Sequence, residues 1–256
     1  MSPQFIDAHA HLAERAERVG PEKITELKRL GIQTSIQGGV GPQDWERQLK
    51  LAHLEPDFFK PVLGLHPWWV LEHSREESLQ ALEALERLLG SNPEVVALGE
   101  LGLDFFRDQE RDPSGVQREI FERQLGIARQ RDLPLVIHSV HAHEVTLDIL
   151  ERHQKSGSGV PLRGIVHAFS GSYEVAQRYL ELGLKLSIGP GIAQSGRFKQ
   201  LKAALPRLAP SDWVLESDGE GHELFQAARA ASGLTGESPE AVLERSSQSL
   251  ARIFLS

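Results

Sequence analysis

Eight short apolar, often β-branched runs punctuate the chain at near-regular intervals, and they constrain the fold more than any other feature. They are QFIDAHAH (4–11), QTSIQGG (33–39), FKPVLGLH (59–66), EVVALGEL (94–101), LPLVIHSV (133–140), RGIVHAFS (163–170), LKLSIGP (184–190) and DWVLESDG (212–219). Each reads as a strand, and the stretches between them carry helical periodicity and caps. Pro21 stands at the first position of one helix and Gly31 closes it. Ser74 and Glu77 have capping-box spacing ahead of LQALEALERLL. Residues 116–130 set Ile120, Leu125 and Ile127 to one side among charges, and Ser238-Pro239 starts a last helix running to about Phe254. Strands alternating with helices imply parallel βαβ units. Eight units in 256 residues fit a single closed (β/α)8 TIM barrel spanning 1–256, with a doubly wound open sheet as the rival. No linker, low-complexity tract or repeat beyond the βα alternation marks a domain boundary.

In such a barrel the active site forms where the strands end, and ionisable residues recur there. The first run carries Asp7, His9 and His11, whose period of two puts all three on one face of a strand. The third run ends at His66, the fourth has Glu100 near its end, the fifth has His138, the sixth His167 and the eighth Asp218. Five of the eleven histidines therefore fall at strand ends. One histidine at a strand end is ordinarily structural. Several separate strands delivering ligand-type side chains to one rim are a different matter.

Cysteine is absent, so any metal must be held by His, Asp and Glu. Imidazoles with carboxylates suit zinc, manganese, iron or nickel better than calcium. Five or six ligands exceed the needs of one tetrahedral ion, whereas two ions bridged by a carboxylate would use them all. Glu100, a carboxylate in an otherwise apolar run, is the natural bridge, because its burial needs compensating positive charge. Asp7 is read as orienting a ligand histidine through its other ring nitrogen. Asp104 either caps the loop that follows or sits near the substrate. His141 and His143 repeat the His-x-His spacing but lie where the next helix should begin, so their side chains should splay apart at the rim. His53, His73, His153 and His222 fall on helices or their ends and read as solvated.

The matching segments DAHAHL (7–12), GLHP (64–67), GELGLDFF (99–106), Gln117-Arg-x-x-Phe-x-x-Gln-Leu125, PLVIHS (134–139), GIVHAFSGS (164–172) and LESDG (215–219) span nearly the whole chain. In this order they resemble the TatD family of metal-dependent hydrolases and deoxyribonucleases, within the amidohydrolase-like barrels. The resemblance implies that His9, His11 and Asp218 bind one metal, that His138 and His167 bind a second, that Glu100 bridges them, and that His66 stands beside the substrate. The expected cofactor is two divalent ions: Mg²⁺, Mn²⁺ or Zn²⁺. Several positions depart from the family pattern. Val140 stands where an arginine is common, Glu220 follows Asp218-Gly219, Trp68 and Trp69 follow GLHP where a further histidine is common, Phe105 replaces a tyrosine, and Ser249 replaces an asparagine.

The functional expectation is a deoxyribonuclease that works by a two-metal mechanism, with Asp218, Glu100 and His66 in catalysis. The resemblance adds a preference for single strands or frayed 3′ ends. The alternatives are hydrolysis of a small ester, amide or aminoacyl substrate, and a non-catalytic, metal-stabilised binding partner. Trp68, Trp69 and Phe105 either offer stacking faces to unpaired bases or pack the rim. Lys185, Arg197, Lys199, Lys202 and Arg207 either track a phosphate backbone or form a solvated helix face. The formal charge of −8 gives no footprint for wrapping long duplex DNA. The chain has no apolar run long enough to cross a bilayer and no signal-peptide pattern, so a cytoplasmic protein is expected, with no membrane and no obligate protein partner.

Overall fold

A computed structural model describes residues 4–13, 21–107, 112–157 and 159–255. The strands are β1 (Phe5–Ala10), β2 (Ile32–Gln37), β3 (Phe59–Lys60), β4 (Val62–Leu63), β5 (Ala97–Asp104), β6 (Leu135–Val140), β7 (Gly164–Val166), β8 (Lys185–Ile188) and β9 (Trp213–Leu215). Every paired neighbour is parallel and every neighbour is sequential. The helices are α1 (Pro21–Arg29), α2 (Pro42–Leu54), α3 (Pro67–Glu72), α4 (Arg75–Ser91), α5 (Val116–Arg131), α6 (His143–Ser156), α7 (Tyr173–Glu181), α8 (Lys199–Ala204), α9 (Glu223–Thr235) and α10 (Pro239–Phe254). This is the (β/α)8 architecture. The third of the eight strand runs is split in two because Pro61 lacks an N–H for the ladder. β3 pairs only with β2 and β4 only with β5, while Gln48 of α2 accepts from Val62 N at 2.8 Å across the break.

A smaller apolar cluster takes one side chain from each of seven strands: Ala8, Ile36, Val62, Ala97, Val136, Ile165 and Val214. It is the interior layer of the barrel, and Leu250 and Phe254 of α10 join it. The larger cluster lies between the strands and the helical ring, with Trp45, Phe121, Tyr179 and Trp213 among its fully buried members.

No ladder joins β9 to β1. Two backbone bonds just beyond the strands, Asp218 N to His9 O and His11 N to Gly219 O, and several side chains bridge this seam. Ser217 N donates to Asp7 Oδ1 at 2.8 Å, Leu215 N to Ser246 Oγ at 2.8 Å and Ile6 N to Ser247 Oγ at 2.9 Å. Two adjacent serines of α10 thus satisfy edge amides that a ladder would otherwise have used.

The expected caps form. Ser74 and Glu77 make the capping box, and Ser238 accepts from Ala241 N at 3.2 Å. Strand limits differ from those read in the sequence. β5 begins at Ala97 and runs on to Asp104, paired with β6 to Asp104↔Val140, so Glu100 lies in the middle of the strand rather than near its end. A Cβ on Gly99 would lie 2.6 Å from Val136 O, so only glycine lets β5 approach β6 this closely. β7 and β9 are three residues each, and His167 and Asp218 lie in the loops just beyond them.

Helix α5 explains the Gln-x₆-Gln pattern at 117 and 124. Gln117 Oε1 accepts from Asp104 N at 2.9 Å. The buried Gln124 accepts from Leu65 N at 2.8 Å and donates to Leu65 O at 3.1 Å. Both carboxamides brace backbone beside a site residue. Replacing Gln124 with leucine strands two buried backbone groups, and urea denaturation should show a loss of about 2–4 kcal/mol with an unchanged m-value.

His143 is not a solvated rim residue. It packs on Phe169 and Tyr179, with Nδ1 3.1 Å from Tyr179 Oη, and burial pushes its pKa down to about 4. The unfolded chain therefore takes up this proton first as pH falls. The stabilisation is complete above the ordinary histidine value of about 6.5 and is lost as pH drops toward 4. His143→Gln should lose less Tm than the parent between pH 7 and pH 4.5. Equal losses in a thermal melt would refute this.

Candidate metal centre

The site is built around Glu100, which is buried and has its amide donating to Gly39 O at 2.9 Å. Its two oxygens face different histidines. Oε1 lies 3.3 Å from His9 Nε2 and 3.7 Å from His11 Nε2. Oε2 lies 3.5 Å from His66 Nε2, 3.4 Å from His138 Nδ1 and 3.6 Å from His167 Nε2. Asp218 Oδ1 closes the ring, 3.5 Å from His11 Nε2 and 3.8 Å from His167 Nε2. The six residues expected to hold metal are therefore brought together, with His66 beside them.

Burial alone would raise the Glu100 pKa, but the surrounding imidazoles hold it well below the usual carboxylate range. Burial lowers His9, whereas the carboxylates Glu216 and Glu100 overcome burial and push His167 up to about 10. The pocket thus calls for positive charge around one buried carboxylate. Protons on imidazole are one way to supply it and divalent cations are another.

The donor set fits such cations. Ligand atoms about 2.1 Å from a tetrahedral ion stand about 3.4 Å apart, close to the spacings around Glu100. Three overlapping triads bring one ligand atom from each residue within 4.8 Å: His9–His11–Glu100, His9–His167–Asp218 and His66–Glu100–His138. Glu100 Oε1 is buried and receives no hydrogen bond from the protein.

The partner of each ring's other nitrogen decides which way its lone pair points. His138 Nε2 lies 3.2 Å from Asp104 Oδ2, and His167 Nδ1 lies 3.0 Å from Glu216 Oε1. A carboxylate accepts, so those nitrogens carry the protons and the opposite nitrogens turn lone pairs toward Glu100. His66 has the reverse polarity. Its Nδ1 accepts from Trp68 N at 3.0 Å, capping α3, and burial pushes its pKa down to about 4. A neutral His66 then carries its proton on Nε2, which lies 3.2 Å from His138 Nδ1 and 3.5 Å from Glu100 Oε2. A protonated Nε2 cannot ligate, so His66 joins the third triad only in its other tautomer.

Three expectations need correction. Asp7 does not touch an imidazole: its Oδ1 accepts from Ser217 N and His9 N, so it ties the seam together through backbone. Sequence spacing gives a side chain's face and not its partner atom. Of the two places expected for Asp104 the structure supports the loop cap and not the substrate contact, since it is buried and both oxygens are engaged. Oδ1 accepts from Phe106 N and Arg107 N, and Oδ2 accepts from Trp68 Nε1 at 2.6 Å and meets His138. Phe105 is buried with Arg118 over its ring, whereas its neighbour Phe106 is 64% exposed with His141 edge-on at 5.4 Å. Both stand in the turn just beyond β5, where the chain leaves the core between them.

Glu216 and Gly38 were not picked out in the sequence. Glu216 is fully buried and also accepts from Ala168 N at 2.9 Å. It stands two residues before Asp218, and its position in an apolar strand run is the same signal that exposed Glu100. A Cβ on Gly38 would stand 2.6 Å from His9 Cε1 and 2.7 Å from His11 Cε1. Trp69 stacks on His73 at 3.8 Å and does not line the cleft, and Trp68 does.

A family model described as TatD related DNase matches residues 6–254. The chain belongs to the TatD family. An uncharacterized metal-dependent hydrolase, YjjV of Escherichia coli K12, is 32% identical over 224 residues, covering 84% of this chain and 79% of that protein. The crystal structure of YjjV superposes with a TM-score of 0.83 at 25% identity over 98% of both chains. A protein of Rahnella sp. named 3′-5′ ssDNA/RNA exonuclease TatD is 30% identical over 195 residues, covering 76% of this chain and 70% of its own length.

Glu216→Gln removes the charge that keeps the His167 proton on Nδ1 and should weaken Mn²⁺ or Zn²⁺ binding about 10–100-fold by titration calorimetry. Unchanged affinity would show that Glu216 has no part in presenting His167.

Proposed function

We propose that the protein is a divalent-metal-dependent hydrolase that cleaves phosphodiesters as a deoxyribonuclease, with two ions bridged by Glu100. The observation that carries this reading is the division of Glu100's oxygens between two histidine groups, His9 with His11 on one side and His138 with His167 on the other. His9, His11 and Asp218 would hold one ion, and His138 and His167 the other. When bound, such ions lower the pKa of a water to produce hydroxide and stabilise charge building on a phosphoryl oxygen.

The protein groups have separable tasks. Asp218 has its side chain 41% exposed at the cleft, where it can take the proton of the attacking water. His66 presents Nε2–H to a non-bridging oxygen or to the departing one. Asp104 and Glu216 hold His138 and His167 in register. Exposed Phe106 offers a stacking face to an unpaired base, an interaction of about 1–3 kcal/mol per base. The names of relatives such as the Rahnella exonuclease support single-stranded ends as substrate. Among the described residues no helix is long and apolar enough to cross a membrane.

Several of the basic residues between β8 and β9 are engaged within the protein. Arg207 lies over the Tyr173 ring at 3.7 Å, Arg197 beside Phe198 at 5.9 Å, and Lys202 donates to Gln194 O. A second reading, hydrolysis of a small ester or amide, draws on Val140, an apolar residue lining the cleft beside His138.

Incubation with 5′-labelled single-stranded DNA and Mg²⁺, Mn²⁺ or Zn²⁺ should give shortening from the 3′ end, with two equivalents of metal bound. Glu100→Ala should reduce the rate more than about 100-fold. Two bound equivalents without cleavage of DNA would sink the nuclease reading in favour of the small-substrate one. If neither parent nor variant binds metal, the centre itself is misread.

A further inference from the structure

The described residues lining the cleft are imidazoles, carboxylates and apolar groups, with no lysine or arginine among them. A phosphodiester chain is a polyanion, and the phosphates flanking the reacting one need a cation of the protein's own. Arg107 stands at the cleft's edge. Its guanidinium carbon lies 3.7 Å from the centre of the Trp68 ring, and Trp68 is itself a lining residue whose ring centre is 4.7 Å from that of His66 and 6.0 Å from that of His138.

The position is built. Asp104 binds Trp68 Nε1, His138 Nε2 and the backbone amides of Phe106 and Arg107. One buried carboxylate therefore fixes a ligand histidine, the indole and the start of the arginine together. The guanidinium carbon lies over the indole, a contact that reduces the side-chain entropy left to lose when a ligand binds. Among the described residues the only ion pair recorded for Arg107 is with Glu72 at 3.8 Å, and both side chains are exposed, so it competes weakly. A guanidinium held this way presents a planar fork of donors suited to phosphate oxygens.

We propose that Arg107, carried on Trp68, is the substrate-phosphate clamp of this enzyme. It recognises a phosphate flanking the scissile one on single-stranded nucleic acid. The inference rests on the nuclease reading. It also reassigns Trp68, whose indole aims a guanidinium rather than stacking on a base.

The test uses the full-length, metal-loaded protein and a labelled single-stranded oligonucleotide. Arg107→Ala should raise KM about tenfold and leave kcat within twofold. In EDTA, fluorescence anisotropy should show weaker binding whose log–log salt slope is smaller by about one. Arg107→Lys keeps the charge but not the fork and should fall between. Val140 lies two residues after His138, on the same face of β6. Val140→Arg in the Arg107→Ala background should therefore recover most of the lost KM.

Cleavage by the parent with unchanged KM and salt slope in Arg107→Ala overturns this assignment and leaves the nuclease reading standing. An equal fall in kcat and kcat/KM would also overturn it, since a clamp on a flanking phosphate acts in the ground state as well. Failure of the parent to cleave or bind any oligonucleotide overturns both.

Discussion

A carboxylate without solvent sits at the centre of this barrel, and the surrounding architecture is organised by what Glu100 needs. An ionised carboxylate buried alone is prohibitively expensive. Here five imidazoles from four separate chain segments aim ring nitrogens at its oxygens within 3.3–3.7 Å. Those imidazoles need orientation in turn. Asp104 and Glu216, also buried, supply it to His138 and His167. The result alternates acid and base across the barrel mouth. Each carboxylate behind a ring increases the basicity of the nitrogen in front of it, the property a ligand to a divalent cation requires.

The site straddles the weakest join of the barrel. His9 and His11 belong to β1 and its end, Asp218 follows β9, and no ladder links those strands. Asp218 donates its amide to His9 O at 3.0 Å and has φ 50°, a left-handed conformation that folds the chain back across the seam. Asp7, Ser246 and Ser247 satisfy the remaining edge groups. Ions gripped by His9, His11 and Asp218 would therefore cross-link the first and last strands, so binding at the centre and closure of the barrel share one free energy.

Much of this is legible in the sequence because a few signals are geometric. Period two in Asp7-His9-His11 fixes a face, apolar runs at regular spacing fix the barrel, and a lone acid in VVALGEL stands out against its neighbours. What escaped the sequence depends on partners. Asp7 and Asp104 look equally like site carboxylates, and only the packing shows that one binds a seam amide and the other an imidazole and an indole. The apolar run around Glu100 extends only to Leu101 in the sequence. In the structure Gly102, at φ 143°, continues the pairing with β6 through Asp104. That continuation carries Phe105 into the core and leaves Phe106 outside. Glu216 was passed over although it sits in LESDG for the same reason as Glu100, since a fully buried acid has a partner that the sequence does not name.

Two departures from the family pattern, Val140 and Glu220, both weaken a claim on phosphate when read from sequence. The structure separates them. Glu220 Oε2 pairs with Lys23 at 3.8 Å, and its amide donates to Glu223, so its charge is met outside the lining of the cleft. Val140 lines the cleft and removes a donor from the place where a guanidinium would reach the reacting group. On the nuclease reading, a cleft whose described lining holds no lysine or arginine needs a cation from elsewhere to hold a polyanion. The compensating cation has to enter from another element. Arg107, braced by the same Asp104 that orients His138, is the arginine whose position at this mouth is set by the site itself.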